Sequence, residues 1–310
     1  MQADADQQVT GPDGTVPNDV PTGEPSDVPT GGPTGVPAGA PTTVVTIVRG
    51  RLDHLRRQAW GLARQQDTAF GWVVVRMGGP DVREAAGQDG LTPVVVDLPV
   101  PDGEPLPLAA ARNAGVAAAA AGGTVVLLDV DVVPAPDLVG TYVDAVRRTG
   151  GVVAGPVGYL PPDVPTTRAD LAGLAGHAEP HPARPVPAPG ELLAEDRWEL
   201  LWTLSLAAPV DLVRAVGGFD ERYVGYGGED TDFAMRLRRA GASLHWVGGA
   251  MGYHQHHAEV GRRDKVPDVV RNATLFHRTW GWWPMAGWLA DLAAEGVVEW
   301  QPDGDVLRLR

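Results

Sequence analysis

From Thr43 to Ala154, short β-branched runs alternate with stretches whose apolar residues fall at helical spacing. That rhythm limits the fold more than any other feature of the chain. Thr43–Arg49 (TVVTIVR), Trp72–Met77 (WVVVRM), Val94–Leu98 and Thr124–Leu128 read as strands. Leu52, Leu55, Ala59, Leu62 and Ala63 mark one face of a helix over about 52–66. An Ala-rich helix is expected over Leu106–Ala121, stopped by Gly122-Gly123, and another over about 137–148, before a strand at Gly151–Ala154. Such alternation implies an α/β protein: a mainly parallel sheet with helices on both faces, since parallel neighbours need a crossover. Ligands in such sheets gather at the carboxyl ends of the strands.

The rhythm does not extend to either side. In residues 1–43 prolines stand at 17, 21, 25, 29, 33, 37 and 41, with no aromatic and no basic residue. That composition cannot bury enough apolar surface to offset the entropy of ordering, so a disordered tail is expected, either a spacer or a passive leader. Over 156–197 prolines break the pattern again, and a long functional or disordered loop is predicted. Order returns at Trp198–Ala207. Short helices over 211–216 and 229–240, a strand at Leu244–Val247, and a Trp-rich, helical 267–300 in two pieces complete the reading.

The 310 residues suffice for a core without disulfides, and the absence of Cys excludes thiolate metal sites and Cys nucleophiles. A formal charge of −14 argues against a nucleic-acid partner. No stretch reaches the roughly 18 apolar residues of a membrane span, and the first residues lack the basic and apolar regions of a secretory signal. A soluble cytoplasmic protein is expected.

Four groups of residues can carry chemistry. Asp129-Val130-Asp131 leaves an apolar strand, where paired carboxylates suit Mg²⁺ or Mn²⁺ or are simply solvated. Gly225-Tyr226-Gly227-Gly228-Glu229-Asp230 enters a helix, whose dipole keeps first-turn carboxylates ionised, either as a cap or as a general base. Met251-Gly252-Tyr253-His254-Gln255-His256-His257 is dense in imidazole, either a surface cluster or a metal ligand set. Arg49 and Arg51 after the first strand, and Arg112-Asn113, could hold phosphate.

The order of these pieces resembles the nucleotide-sugar-dependent glycosyltransferases of the GT-A fold: family 2 enzymes with a C-terminal part like that of the β-1,4-galactosyltransferases. The resemblance covers about 44–290. It rests on VRGRLDHL at 48–55, LAAARNAG at 108–115, LLDVDVVP at 127–134, GGFDE at 217–221, YGGEDTDFAMRL at 226–237 and MGYH at 251–254.

The resemblance implies a Rossmann-like GT-A domain over 44–310. It divides into a nucleotide-sugar-binding half (44–155), a Pro-rich acceptor-side loop (156–197) and an acceptor and catalytic half (198–310). By the same resemblance Asp131, Met251 and His254 hold Mn²⁺ or Mg²⁺, with His256 and His257 as further candidates. Asp129 lies nearer the donor's ribose, and Arg49 and Arg51, with Arg112 and Asn113, belong to the donor site. Asp230 is the base and Glu229 the acceptor contact, giving inverting sugar transfer from a donor expected to be UDP-linked. The family's base-holding Asp has no counterpart at Arg76–Pro80, where the nearest acid is Asp81. Three alternatives share these features: a nucleotidyltransferase, a sugar-nucleotide hydrolase, and a carbohydrate-binding protein using tryptophans 280, 282, 283 and 288. The sugar, the acceptor and the oligomeric state are not readable.

Overall fold

The computed structural model describes residues 36–66, 69–257 and 261–310. The predicted tail lies outside the described residues as far as residue 35. The chain enters at β1 (Thr42–Val48), crosses through α1 (Leu52–Leu62) and returns as β2 (Gly71–Met77). A short α2 (Arg83–Ala86) leads to β3 (Val94–Leu98), and α3 (Leu108–Ala118) to β4 (Thr124–Leu128). Then come β5 (Val132–Pro134), α4 (Leu138–Thr149), β6 (Val152–Ala154), β7 (Val157–Tyr159), β8 (Glu179–Pro180) and β9 (Leu192–Ala194). The second half runs through β10 (Ser205–Pro209), α5 (Val210–Ala215), α6 (Glu229–Arg239), β11 (Leu244–Val247) and β12 (Gly252–His254). It ends with α7 (Val266–Trp280), α8 (Ala286–Ala294) and the hairpin β13 (Val298–Trp300) and β14 (Leu307–Leu309).

The main sheet has the order β3-β2-β1-β4-β10-β6-β11-β9. Its first four strands are parallel, β10 runs antiparallel between β4 and β6, and β9 closes the far edge antiparallel to β11. Strand alternation sends Val45, Val73, Val75, Val125 and Leu127 to one face, and Val44, Trp72, Val74, Val126 and Leu128 to the other. The first set packs with residues of α3, α5, α6 and α7, the second with residues of α1, α2 and α4. Helix α3 lies so close that a Cβ at Gly115 would meet Val45 Cγ1 at 2.1 Å, which only glycine avoids.

Residues 156–197, read as a loop, contribute β7, β8, β9 and a 3-10 turn over Asp170–Gly176. Their strands are two or three residues long because the intervening prolines lack the N–H that a longer ladder needs. A second sheet, ordered β5-β12-β7-β8, stands beyond the carboxyl end of β4 and carries the His-rich stretch to that end.

Candidate active site

The site begins where β4 stops. Asp129 to Val132 form a turn, with the Val132 N–H donating to the Asp129 carbonyl at 2.9 Å. Gln58 on α1, fully buried, fixes that turn. Its Nε2 donates to the Asp129 carbonyl at 2.7 Å and to that of Val132 at 3.0 Å, while its Oε1 accepts from Thr46 Oγ1 at 2.9 Å. The Gln255 N–H donates to the Asp131 carbonyl at 2.7 Å and ties the His-rich stretch to the same turn.

Asp131, His254 and His257 converge there, their ligand atoms all within 4.8 Å of one another. Nε2 of His254 stands 3.6 Å from Asp131 Oδ1, and Nε2 of His257 stands 3.4 Å from Oδ2. Arg51, held in a left-handed conformation at the start of α1, reaches Oδ2 at 2.5 Å. Burial by itself would raise the Asp131 pKa. The charges of His254, His257 and Arg51 outweigh burial and hold the carboxyl below its ordinary range. Its Oδ1 is buried yet accepts no hydrogen bond. An orphaned carboxylate oxygen beside two imidazoles fits a divalent ion of borderline character such as Mn²⁺, whereas Mg²⁺ prefers oxygen alone.

The sequence grouped Met251 with His254. Met251, just before β12, packs with Tyr253 in the apolar cluster around Leu160, Leu171 and Leu174, whereas His254, next to Tyr253 on the strand, points the other way, to Asp131. The structure brings His257 to the carboxylate instead, and His256 stands exposed.

A cleft of about 120 Å³ opens beside the turn, lined in part by Arg112, Asp129, Trp202, Tyr226, Glu229 and Asp230. Its floor is the first turn of α6. Gly228 precedes it at φ +89°, a conformation glycine takes without the steric cost of a Cβ. Asp230 is held through both oxygens: Oδ1 accepts from Thr203 Oγ1 at 2.7 Å and Oδ2 from the Thr203 N–H at 3.1 Å. Arg112, buried on α3, donates to Glu229 at 3.1 Å and to Asp129 at 3.4 Å, and pairs with Asp230 at 3.4 Å. Burial, reinforced by the neighbouring Asp230 charge, pushes Glu229 up to about 7 against the pull of Arg112. Burial likewise raises Asp129 to about 7.

Two of the predicted donor-site residues are committed elsewhere. Arg49 donates to the carbonyls of Met77, Val100 and Pro101 and to Asp102, fastening the loops that follow β2 and β3. Asn113 accepts from the Phe219 N–H at 2.8 Å and donates to the Phe219 carbonyl at 2.9 Å, which holds the GGFDE turn. Sequence reasoning missed Gln58, Thr203 and Trp202, for which no local pattern exists. It named His257 but left it open; two imidazoles three residues apart were the available signal.

A family model described as the N-terminal domain of galactosyltransferase matches residues 195–259, the stretch that carries Thr203, Glu229, Asp230, His254 and His257. No curated protein matches the sequence. The structure of S. aureus TarS 1-349 superposes with a TM-score of 0.50 at 14% identity, covering 78% of this chain and 72% of that one. A further S. aureus TarS structure gives 0.51 at 14%, with 77% and 44% covered. GalNAc-T7, solved with UDP, GalNAc and Mn²⁺, gives 0.50 at 13%, with 83% of this chain and 57% of that one. The protein is an α/β protein of the GT-A fold, as the sequence resemblance implied. The fold and the family match together support a glycosyltransferase. Among the described residues no helix is long and apolar enough to cross a membrane.

Proposed function

We propose that the protein is an inverting, metal-dependent hexosyltransferase, family 2-like in its donor half (44–155), that moves a sugar from a nucleotide-sugar to an acceptor hydroxyl. The observation that carries this reading is the cleft floor. There Asp230 is fixed by two hydrogen bonds from Thr203, beside Glu229, and Arg112 ties both to Asp129 on the metal turn. A carboxylate held this way keeps one orientation, as a general base requires.

Asp131, His254 and His257 would hold the ion, which when bound offsets charge on a diphosphate leaving group. Arg51, next to Asp131, is the arginine best placed to meet the same diphosphate. Glu229 orients the acceptor hydroxyl and Asp230 accepts its proton. The acceptor oxygen then bonds to the anomeric carbon from the face opposite the leaving group. The bond from that carbon to the diphosphate oxygen breaks, and the nucleoside diphosphate departs with the electron pair. The donor is proposed to be UDP-linked, a reading supported by the UDP and Mn²⁺ in the GalNAc-T7 structure.

Asp230→Asn tests the assignment. The expected result is a fall in kcat of about a hundredfold or more with UDP and Mn²⁺ binding retained. Near-native transfer by a folded variant would remove Asp230 from the base role.

A further inference from the structure

The loop that leads into α6 is held by side chains of α7. Asp268, Arg271 and Asn272 fall three and four residues apart, on one face of that helix, and the face meets Val224–Tyr226. Asn272 is fully buried, and its Nδ2 donates to the carbonyls of Val224 and Tyr226, each at 3.1 Å. Asp268 Oδ2 accepts from the Tyr226 N–H at 3.2 Å. Arg271 donates to the Val224 carbonyl and, at 2.8 Å, to Asp268 Oδ1. The Gly225 N–H donates to the Leu106 carbonyl at 2.8 Å, just ahead of α3. The approach is so close that a Cβ at Gly225 would meet Asp268 Oδ2 at 2.0 Å. Lys265 Nζ lies 4.2 Å from the centroid of the Tyr226 ring, and the Trp288 ring lies 5.4 Å from it.

Tyr226 and Gly227 line the cleft beside Glu229 and Asp230. An asparagine inside a helix costs helix stability, and here its donors serve the loop and not the helix. A loop tied in this way takes its shape without a ligand, and a preformed site spares the ordering cost of binding. From this we infer that Asn272 and Asp268 are positioning residues. They hold the Tyr226 wall of the cleft in its working form before donor or ion arrives, so an acceptor sugar meets a finished surface. The inference rests on the glycosyltransferase reading and deepens it on the acceptor side.

The test is hydrogen exchange on the full chain, with and without UDP and Mn²⁺. In the free wild type the amides of Gly225 and Tyr226 should exchange at least about tenfold more slowly than in an unstructured peptide, and UDP with Mn²⁺ should leave them unchanged. Asn272→Ala removes two hydrogen bonds and should speed that exchange about tenfold or more, with β4 unaffected. Asp268→Ala should do the same. Asp268→Asn keeps an oxygen that accepts from the Tyr226 N–H and should stay near the wild type. A role confined to ionic pairing with Arg271 would be lost in both Asp268 variants alike. In transfer from UDP-glucose or UDP-galactose to p-nitrophenyl glucoside, Asn272→Ala should raise acceptor KM about tenfold. The kcat and the affinity for UDP should change little, because Thr203 holds Asp230 separately. Fast exchange in the free wild type that slows only with UDP and Mn²⁺, unchanged exchange in Asn272→Ala, or an unchanged acceptor KM would overturn the inference. Absence of any transfer counts against the proposed activity, while the exchange of Gly225 and Tyr226 still decides the clamp.

Discussion

The proposed third metal ligand turns on how the chain runs on either side of β12. Met251, just before the strand, packs in the apolar cluster with Tyr253, whereas His254 and, beyond the strand, His257 face Asp131. His257→Ala should therefore weaken Mn²⁺ binding at least about tenfold in calorimetry, whereas Met251→Leu should leave it unchanged. The reverse outcome would restore Met251 to the site. Glu229 gives a second prediction at this scale. Its folded pKa, pushed up to about 7 by burial, lies above that of an unfolded carboxylate, so the folded chain binds the proton more tightly. Its contribution to stability is full below the unfolded pKa and is lost as pH rises through about 7. Relative to Glu229→Gln, the wild type should accordingly lose melting temperature over that interval. A Glu229 carboxylate accepts a hydrogen bond from an acceptor hydroxyl better when ionised, so acceptor KM should fall as pH rises through about 7, and the Gln variant should show no such bend. The DVD and GYGGED carboxylates were legible because each sits at a recognisable strand end or helix start. Gln58 and Thr203 were not, because their partners are 71 and 27 residues away along the chain.

Helix α6 presents its two acids because the chain enters it through Gly227 and Gly228, both at positive φ. An alanine at 228 would take a left-handed conformation costing about 1–2 kcal/mol, and its Cβ would stand 3.1 Å from the Tyr223 ring. Gly228→Ala should lower the unfolding free energy in denaturant titrations by about that amount. It should also lower kcat by displacing Asp230 from Thr203. A variant that kept full activity would show that the helix start tolerates another entry. The strands β1 to β4 and the helices α1 and α3 were readable since five or more residues of alternation or helical spacing outlast local noise, whereas the four-residue α2 was not read. Strands β5, β7, β8, β9 and β12 are two or three residues long, too short for a period to show. They exist by tertiary pairing, as where His245 on β11 pairs with Ala194 on β9.

At the scale of the whole molecule, the site exists only in the folded chain. Asp131 leaves β4, His254 lies on β12, Arg51 precedes α1, and Glu229 and Asp230 open α6. An unfolded chain separates them by up to about two hundred residues, so UDP with Mn²⁺ should bind the native state and stabilise all of it. Ligand at a hundredfold excess over its Kd adds about 2.7 kcal/mol. For a chain of this size that raises the melting temperature by several degrees. The overall charge of −14 opposes an anionic donor, whereas Arg51 and a bound ion at Asp131 supply positive charge locally. UDP and Mn²⁺ together should therefore shift the melting temperature by more than the sum of their separate shifts, and a chelator should reverse the excess. Asp131→Ala should melt below the wild type without ligand, because the folded chain holds this carboxylate ionised against Arg51, His254 and His257 and the variant leaves them without it. It should also lose the joint shift. A joint shift that persists in Asp131→Ala would place the ion elsewhere, and no shift with any nucleoside diphosphate in the wild type would remove the donor site itself.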